Sequence, residues 1–87
     1  MELRNVNSSN IAQVGHDSNQ NTLIIRFKNG AYYKYDNVPE QVYNNFITAQ
    51  SVGRYFQSYI RNVYTFKKID VEEGVEHNYE QKTNLSY

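Results

Sequence analysis

The dipeptide Asn29-Gly30 lies between two apolar runs, and it limits what this chain can fold into more than any other feature. Such a pair is a strong short-range signal for a β-hairpin, here with strands at residues 23–27 and 31–36. The second strand contains three tyrosines, at positions 32, 33 and 35. The geometry of the turn therefore decides which tyrosines enter the core and which face solvent.

Two turn geometries are compatible with this hairpin. A two-residue turn sets Ile25 opposite Lys34, which mixes apolar and charged side chains on one face. A three-residue turn at residues 28–30 sets Ile25 opposite Tyr33. Because a one-residue slip moves every side chain to the other face, the pattern favours the three-residue turn, with Gly30 in the left-handed conformation. One face then carries Leu23, Ile25, Phe27, Ala31, Tyr33 and Tyr35, and the other carries Ile24, Arg26, Lys28, Tyr32, Lys34 and Asp36.

The segments around the hairpin extend it to a small sheet. Residues 1–9 are polar and are expected to be irregular up to Val6, a short strand is expected at residues 11–16, and turn formers cluster at residues 17–21. These runs indicate an antiparallel meander of three strands. Residues 64–69 alternate well enough to form a fourth strand or an extension of the chain.

Two helices are expected between the hairpin and this last segment. Pro39, the only proline, suits the first turn of a helix, with Asn37 as its cap, and Ser51 can cap a second helix. Apolar residues at helical spacing predict the buried faces. They are Val42, Tyr43, Phe46 and Ile47 in the first helix and Val52, Tyr55, Phe56, Tyr59, Ile60 and Val63 in the second. We therefore expect an α+β fold, in which a three- to four-stranded antiparallel sheet packs one face on two short helices.

The net charge of zero conceals an uneven distribution along the chain. Residues 4–68 contain eight basic and three acidic side chains, whereas residues 69–87 contain five acidic side chains and one basic. We therefore divide the chain into a domain at residues 1–69 and an acidic tail at residues 70–87, which has too little apolar surface to form a core. With no cysteine, no signal-peptide pattern and no long apolar run, a cytoplasmic protein is expected.

Several short motifs follow one another between residues 6 and 69, and the order of Tyr-x-Tyr, Val-Pro and Ser-x-Gly-x-Tyr-Phe among them is quite specific. They are Ser8-Ser9-Asn10-Ile11, Val14-Gly15, Leu23-Ile24-Ile25-Arg26-Phe27, Asn29-Gly30, Tyr33-Lys34-Tyr35, Val38-Pro39, Val42-Tyr43, Ala49, Ser51, Gly53-Arg54-Tyr55-Phe56, Ile60-Arg61 and Tyr64. This pattern resembles the KTSC domain, named for its occurrence at the C-terminus of some lysyl-tRNA synthetases. The chain departs from it at His16, where a tyrosine is common in the family, and in the acidic tail.

The resemblance implies a small stand-alone or appended module of bacteria and their phages. An association with RNA has been suggested for the family, by analogy with the tRNA synthetases that carry it. The resemblance brings no catalytic residues.

The candidate binding residues combine positive charges with an aromatic ring. Cations beside aromatic side chains are typical of proteins that bind single-stranded RNA. The candidates are Arg26, Lys28, Tyr32 and Lys34 on the hairpin and Arg54 and Arg61 on the second helix, with Lys67 and Lys68 as an extension of the basic surface. An ordinary solvated sheet face is the alternative interpretation. Tyr33 and Tyr35 are expected in the core instead, because their face must cover the helices.

Other residues could suggest an enzyme or a metal site, but their pattern is weak. Ser8, Ser9 and His16 lack an orienting acid and an oxyanion loop, so they do not predict a nucleophile and base. His16 and His77 have no metal-ligand spacing. We therefore expect no enzymatic activity and no cofactor.

Two function classes remain for the chain, and neither is enzymatic. The first is a nucleic-acid-associated module, most directly an RNA-binding one. The second is a protein-interaction or regulatory module, such as a phage-encoded inhibitor of a host protein, which would use the acidic tail or a sheet edge. A homo-oligomer that buries its edge strand is a further alternative, because the sequence leaves the oligomeric state open.

Overall fold

The protein folds as one antiparallel sheet covered on one face by helices. The structure, a computed structural model, describes residues 2–69, so the acidic tail expected at residues 70–87 lies outside the described residues. The strands are β1 (Arg4–Asn5), β2 (Ile11–Asp17), β3 (Thr22–Phe27), β4 (Tyr32–Tyr35) and β5 (Phe66–Ile69), and they lie side by side in this order. Between β4 and β5 the chain forms helices α1 (Glu40–Ile47) and α2 (Val52–Tyr55) and a π-helix (Phe56–Ile60). The α+β class is confirmed, but within residues 2–69 the sheet has five strands rather than three or four.

The hairpin has the register that its apolar pattern predicts. Leu23 lies opposite Tyr35 and Ile25 lies opposite Tyr33. The turn is closed by the Gly30 N–H, which donates to the Phe27 carbonyl at 2.9 Å. Gly30 has a φ of 95°, which an L side chain rarely adopts, so a glycine is needed to complete this three-residue turn.

The additional strand is β1, which lies in the segment expected to be irregular. It contains only two residues, with Arg4 opposite Val14 and Asn5 opposite Gln13. The turn into β2 is held by Ser8, whose Oγ accepts hydrogen bonds from the N–H groups of two later residues at 3.3 Å. Two exposed polar residues have no alternating pattern, so nothing in their sequence indicates a strand.

Helix α1 begins differently from the prediction. Asn37 has a φ of 58° and does not cap the helix, because the chain turns through a left-handed conformation there. Pro39 occupies the cap position instead, and its carbonyl accepts hydrogen bonds from the N–H groups of Val42 and Tyr43. Ser51 does cap α2, since its Oγ accepts a hydrogen bond from the Arg54 N–H at 3.3 Å.

The second helical segment widens from α to π geometry at Phe56. Val52, Phe56 and Ile60, four residues apart, are the positions that enter the core. Tyr59 and Val63 are 59% and 63% exposed, so the prediction that they are buried was wrong. The fully buried side chains are four residues apart, and Tyr55 is half-buried, packing against the core where its ring stacks on Phe46.

The hydrophobic core lies between the sheet and the helices. The sheet contributes Ile11, Val14, Leu23, Ile25 and Tyr35, the loop before α1 contributes Val38, and the helical segments contribute Phe46, Val52, Phe56 and Ile60. The opposite sheet face has no helix packed on it within the described residues. Among residues 2–69, no helix is long and apolar enough to cross a membrane.

Candidate functional site: a basic sheet face and an aromatic cleft

The structure places the predicted site residues in three separate locations. Arg26, Tyr32 and Lys34 lie on the sheet face that points away from the helices, as the hairpin register requires. Lys28 and Arg61 lie at a cleft on the opposite side of the sheet, and Arg54 lies apart from both. The predicted set is therefore not one surface, and each location has its own geometry.

Arg26 and Tyr32 are cross-strand partners on the open sheet face. The Arg26 guanidinium carbon lies 5.7 Å from the centre of the Tyr32 ring, within cation–π range. Its Nη1 donates to Gln13 Oε1 at 3.3 Å, whereas its Nε is buried and has no hydrogen-bond partner within residues 2–69. The arginine is thus held over the sheet by a ring and an amide.

Two lysines lie directly opposite each other beside this pair. Lys34 of β4 is the cross-strand partner of Lys67 of β5. Like charges in this position destabilise a sheet. The carboxylate of Asp36 offers little compensation, since its Oδ1 is 4.0 Å from Lys34 Nζ and both side chains are partly exposed. Arg26, Tyr32, Lys34 and Lys67 form the surface that we call the basic face.

An aromatic cleft opens on the other side of the sheet, between the tip of the hairpin, the π-helix and β5. Its volume is about 600 Å³, and its walls contain five aromatic rings, two cations and four amide side chains. The rings are those of Phe27, Tyr33, Tyr35, Phe56 and Phe66, the cations are Lys28 and Arg61, and the amides are Asn10, Asn29, Gln57 and Asn62.

The rings of the cleft form a continuous cluster. Phe66 contacts Tyr33 and Tyr35, with centroids 5.6 and 5.4 Å apart. Phe27 meets Tyr33 edge-on at 5.4 Å and Phe56 at 5.6 Å. Tyr35 is only 3% exposed, which agrees with its predicted place in the core, whereas Tyr33 is half-buried and packs against that core from the cleft.

The hydroxyl of Tyr35 lies in an environment that opposes ionisation. Burial raises its pKa to about 12, with a further increase from the neighbouring Tyr33, and the positive charge of Arg61 lowers it in part. Arg61 is one of the two cations that line the cleft. Its Nη1 also donates to Gln57 Oε1 at 2.9 Å, one helical turn earlier, which limits where the guanidinium can lie.

Arg54 lies on the helical side of the molecule. It lines a shallow depression with Tyr55 and Tyr59, whose ring centroids are 4.7 Å apart. The structure therefore does not bring Arg54 together with the other predicted site residues.

The histidine and serine considered for catalysis have structural contacts. His16 Nε2 is 2.6 Å from the Val38 carbonyl, to which it donates, and its ring stacks on Tyr43 with centroids 5.2 Å apart. Ser8 Oγ accepts the two backbone hydrogen bonds of the turn before β2. His77 lies outside the described residues, and residues 2–69 hold no group of three potential metal ligands.

Phe66 lines the cleft but was not among the site residues expected from the sequence. This side chain is 52% exposed although it contacts two tyrosines of the sheet. The alternation of residues 64–69 was a usable signal for a strand, but it did not show that this strand would pair with β4 and bring Phe66 beside Tyr35.

Comparison with known proteins identifies relatives over most of the chain. A family model described as the KTSC domain matches residues 7–64. The crystal structure of a KTSC domain protein from Yersinia pestis is similar, with a TM-score of 0.75, 36% sequence identity, and coverage of 79% of this chain and 97% of that one.

Two bacterial sequences have a comparable similarity. A protein from Stutzerimonas stutzeri, described as uncharacterized, is 34% identical over 64 residues, covering 72% of this chain and 90% of its own. A protein from Tsukamurella paurometabola is 34% identical over 59 residues, covering 68% of this chain and 88% of its own.

Proposed function

The chain belongs to the KTSC domain family, and from that premise we propose that it is a small non-enzymatic module that binds single-stranded RNA on the basic face. We place this module in the cytoplasm of a bacterium or in a phage-infected cell. We also propose a link to translation, because the family is named for its occurrence in some lysyl-tRNA synthetases.

The observation that carries this proposal is the pairing of Lys34 with Lys67. Two like charges directly opposite on a sheet lower stability when the sheet is alone. A phosphate backbone that crosses both strands would reverse that repulsion, because each phosphate neutralises a lysine and releases condensed counterions. The excess of basic residues between positions 4 and 68 also attracts a phosphate backbone at longer range.

The Arg26–Tyr32 pair provides the second part of an RNA-binding surface. Single-stranded RNA is held by stacking of bases on aromatic rings and on guanidinium planes, in addition to contacts with phosphates. Tyr32 pairs directly with Arg26 and therefore shares its face, whereas Tyr33, one residue later, lines the cleft on the other side. Ring, guanidinium and lysines are thus available together on one side of the sheet.

The test is a titration of the full-length protein with a labelled single-stranded RNA of about twelve nucleotides at about 50 and 200 mM salt. The double variant Lys34→Gln/Lys67→Gln is expected to weaken binding and to reduce the slope of log affinity against log salt by about 1.4, because single-stranded binding loses about 0.7 per phosphate contact.

Lys68→Gln is the matched control for this titration. Lys68 is exposed on β5 like its neighbour Lys67, but it pairs with Tyr33 and so belongs to the other side of the sheet. Its replacement should leave the slope nearly unchanged. Failure of the unmodified protein to bind RNA at the lower salt concentration, or an equal loss in the control, would refute the proposal.

The second candidate function is a protein interaction through β5. Within the sheet of residues 2–69, this strand is the last and has a neighbour only on the β4 side, so its other edge can accept a partner strand. Phe66 and Val63, both more than half exposed, lie in this strand and just before it. Recovery of the protein from cells followed by analysis of both RNA and protein decides between the candidates, since recovery of RNA alone excludes this one. Light scattering shows whether the partner strand comes from a second copy.

A further inference from the structure

We infer that the aromatic cleft is a second binding site, which takes a flat aromatic ring that carries a phosphate, as in a nucleoside monophosphate. The inference goes beyond the proposed function, because the cleft lies on the opposite side of the sheet from the basic face and shares none of its residues.

The shape of the cleft fits a ligand of this size. Its volume of about 600 Å³ lies within the range of about 300–1,000 Å³ that small-molecule sites occupy. The π-helix ends at Ile60, so it covers only part of the rings at the tip of the hairpin. The cleft is therefore bounded by the sheet on one side and by the π-helix and the segment after it on the other.

Phe66 is the side chain that offers a stacking surface. It is 52% exposed, whereas Tyr35 beside it is 3% exposed. Its contacts with Tyr33 and Tyr35, at 5.6 and 5.4 Å, fix one side of the ring against the sheet and leave the rest open to the cleft. A planar ring placed there would gain aromatic contact without displacing a core residue.

The charges at the cleft select an anion. Lys28 and Arg61 are the charged residues among its described lining residues, and no carboxylate is present among them. Arg61 is oriented by Gln57 and acts electrostatically on the Tyr35 hydroxyl. A guanidinium held in this way can form two parallel hydrogen bonds to a phosphate, and Lys28 adds a second positive charge.

The amide side chains supply the remaining part of the recognition. Asn10, Asn29 and Asn62 line the cleft and can each donate and accept hydrogen bonds at the edge of a base. Asn29 already uses its Oδ1 to accept from the Ala31 N–H at 3.0 Å, so it offers its NH₂ group as a donor. Rings, cations and amides together match a nucleotide better than an aliphatic anion, which would leave the aromatic surface unused.

The experiment is a titration of the full-length ¹⁵N-labelled protein with adenosine 5′-monophosphate, adenosine and inorganic phosphate, followed by amide chemical shifts. The monophosphate is expected to shift amides of the hairpin tip, of residues 57–62 and of β5, with at least about 10-fold higher affinity than adenosine or phosphate. Equal affinity for adenosine and its monophosphate, or no shift at these residues, would overturn the inference.

Two substitutions test the assigned roles. Phe66→Ala and Arg61→Gln should each weaken binding of the monophosphate about 10-fold, by loss of stacking and of the phosphate contact. Their matched controls are Val63→Ala, an exposed apolar residue that does not line the cleft, and Arg54→Gln, an exposed arginine earlier in the helical segment. If the controls lose as much affinity as the cleft variants, the site is not the cleft.

A short RNA distinguishes a free nucleotide from the end of a chain. A tetranucleotide with a 5′-phosphate that binds at least as well as the monophosphate assigns the site to an RNA terminus, and much weaker binding assigns it to a free nucleotide; both results support the cleft. The Lys34→Gln/Lys67→Gln variant should bind the monophosphate normally, so the basic face and the cleft can fail independently.

Discussion

Ile24 and Ile25 are neighbours on β3, yet they lie in opposite surroundings. Ile25 is fully buried beneath the helices, whereas Ile24 is half-buried on the open face, opposite Lys34. The same difference holds for the two sides of β4, where Tyr35 is part of the core and Lys34 faces another lysine. The side that packs on the helices stabilises the fold, whereas the other side carries two lysines that repel each other across the sheet.

The sharpest test of this difference is the pair Ile25→Ala and Ile24→Ala. Loss of Ile25 should lower the free energy of unfolding by about 2–5 kcal/mol, because a cavity remains beneath the helices. Loss of Ile24 should cost less, about 1 kcal/mol, since its side chain is only half-buried. Urea unfolding at neutral pH measures both. Equal losses would show that the open face is covered in solution.

A second test is a substitution in the turn that sets the register of the hairpin, and with it the face on which each side chain lies. Gly30→Ala should lower the free energy of unfolding by about 1–2 kcal/mol, because an L side chain is disfavoured at a φ of 95° even though no atom of the described residues lies within 4 Å of the added methyl. Gly53→Ala is the control. Its methyl would meet Ser8 Oγ at an ordinary 3.5 Å and its backbone is helical, so no loss is expected there. Equal losses in the two variants would show that the methyl itself, and not the turn, is responsible.

A third test measures how stability depends on pH through Tyr35, which lies on the face that packs against the helices. The pKa of Tyr35 is raised to about 12 in the folded protein, so the folded state keeps its proton while the unfolded state loses it above about pH 10. This contribution is fully present below pH 10 and is lost as the pH rises toward 12. Between about pH 8 and pH 11 it should remove about 1 kcal/mol of stability.

The control for this test is Tyr35→Phe, which has no proton to lose at that position. The protein has nine tyrosines, so the comparison is the difference in unfolding free energy between the two proteins at each pH. That difference should change by about 1 kcal/mol over the same pH range. A constant difference would mean that Tyr35 is accessible to solvent.

The smallest expected effect is on the open face. Lys67→Gln should raise the free energy of unfolding by about 0.2–0.5 kcal/mol at low salt, because it removes the repulsion with Lys34. Lys68→Gln should have little effect, since its cross-strand partner is Tyr33. Added salt should reduce the gain from Lys67→Gln. A loss of stability in that variant would show that the two lysines do not repel each other.

The hairpin was predictable because its two faces have opposite character, and only one register separates them. The strand β1 was not, because a pair of exposed polar residues contributes backbone hydrogen bonds that no side-chain pattern reveals. The burial of Tyr59 was wrongly predicted because helical spacing identifies the apolar side of a helix but not how many residues on that side are covered. Only the packing of the helices shows that Phe56 is buried, Tyr55 half-buried and Tyr59 exposed.

The candidate binding surfaces divide in the same way. Arg26, Tyr32 and Lys34 were expected on one face and lie there, because they belong to consecutive paired strands whose register follows from the apolar pattern. The cleft depends on the pairing of Phe66 with Tyr35, and all the helices lie between these two residues in the sequence. A contact of that separation is set by how the helices return the chain to the sheet, which the local pattern of residues 64–69 does not contain.

The long stretch of chain between β4 and β5 also affects when β5 joins the sheet during folding. The hairpin closes over a short turn, whereas β5 pairs with β4 only when the chain has returned past both helices, and closing a long loop is slower than closing a short one. A strand that joins last and lies at the end of the described sheet is expected to detach before the central strands in the native state. In native-state hydrogen exchange, the amides of β5 should therefore exchange before those of β2 and β3. When β5 detaches, the cleft is lost while the rest of the sheet remains folded.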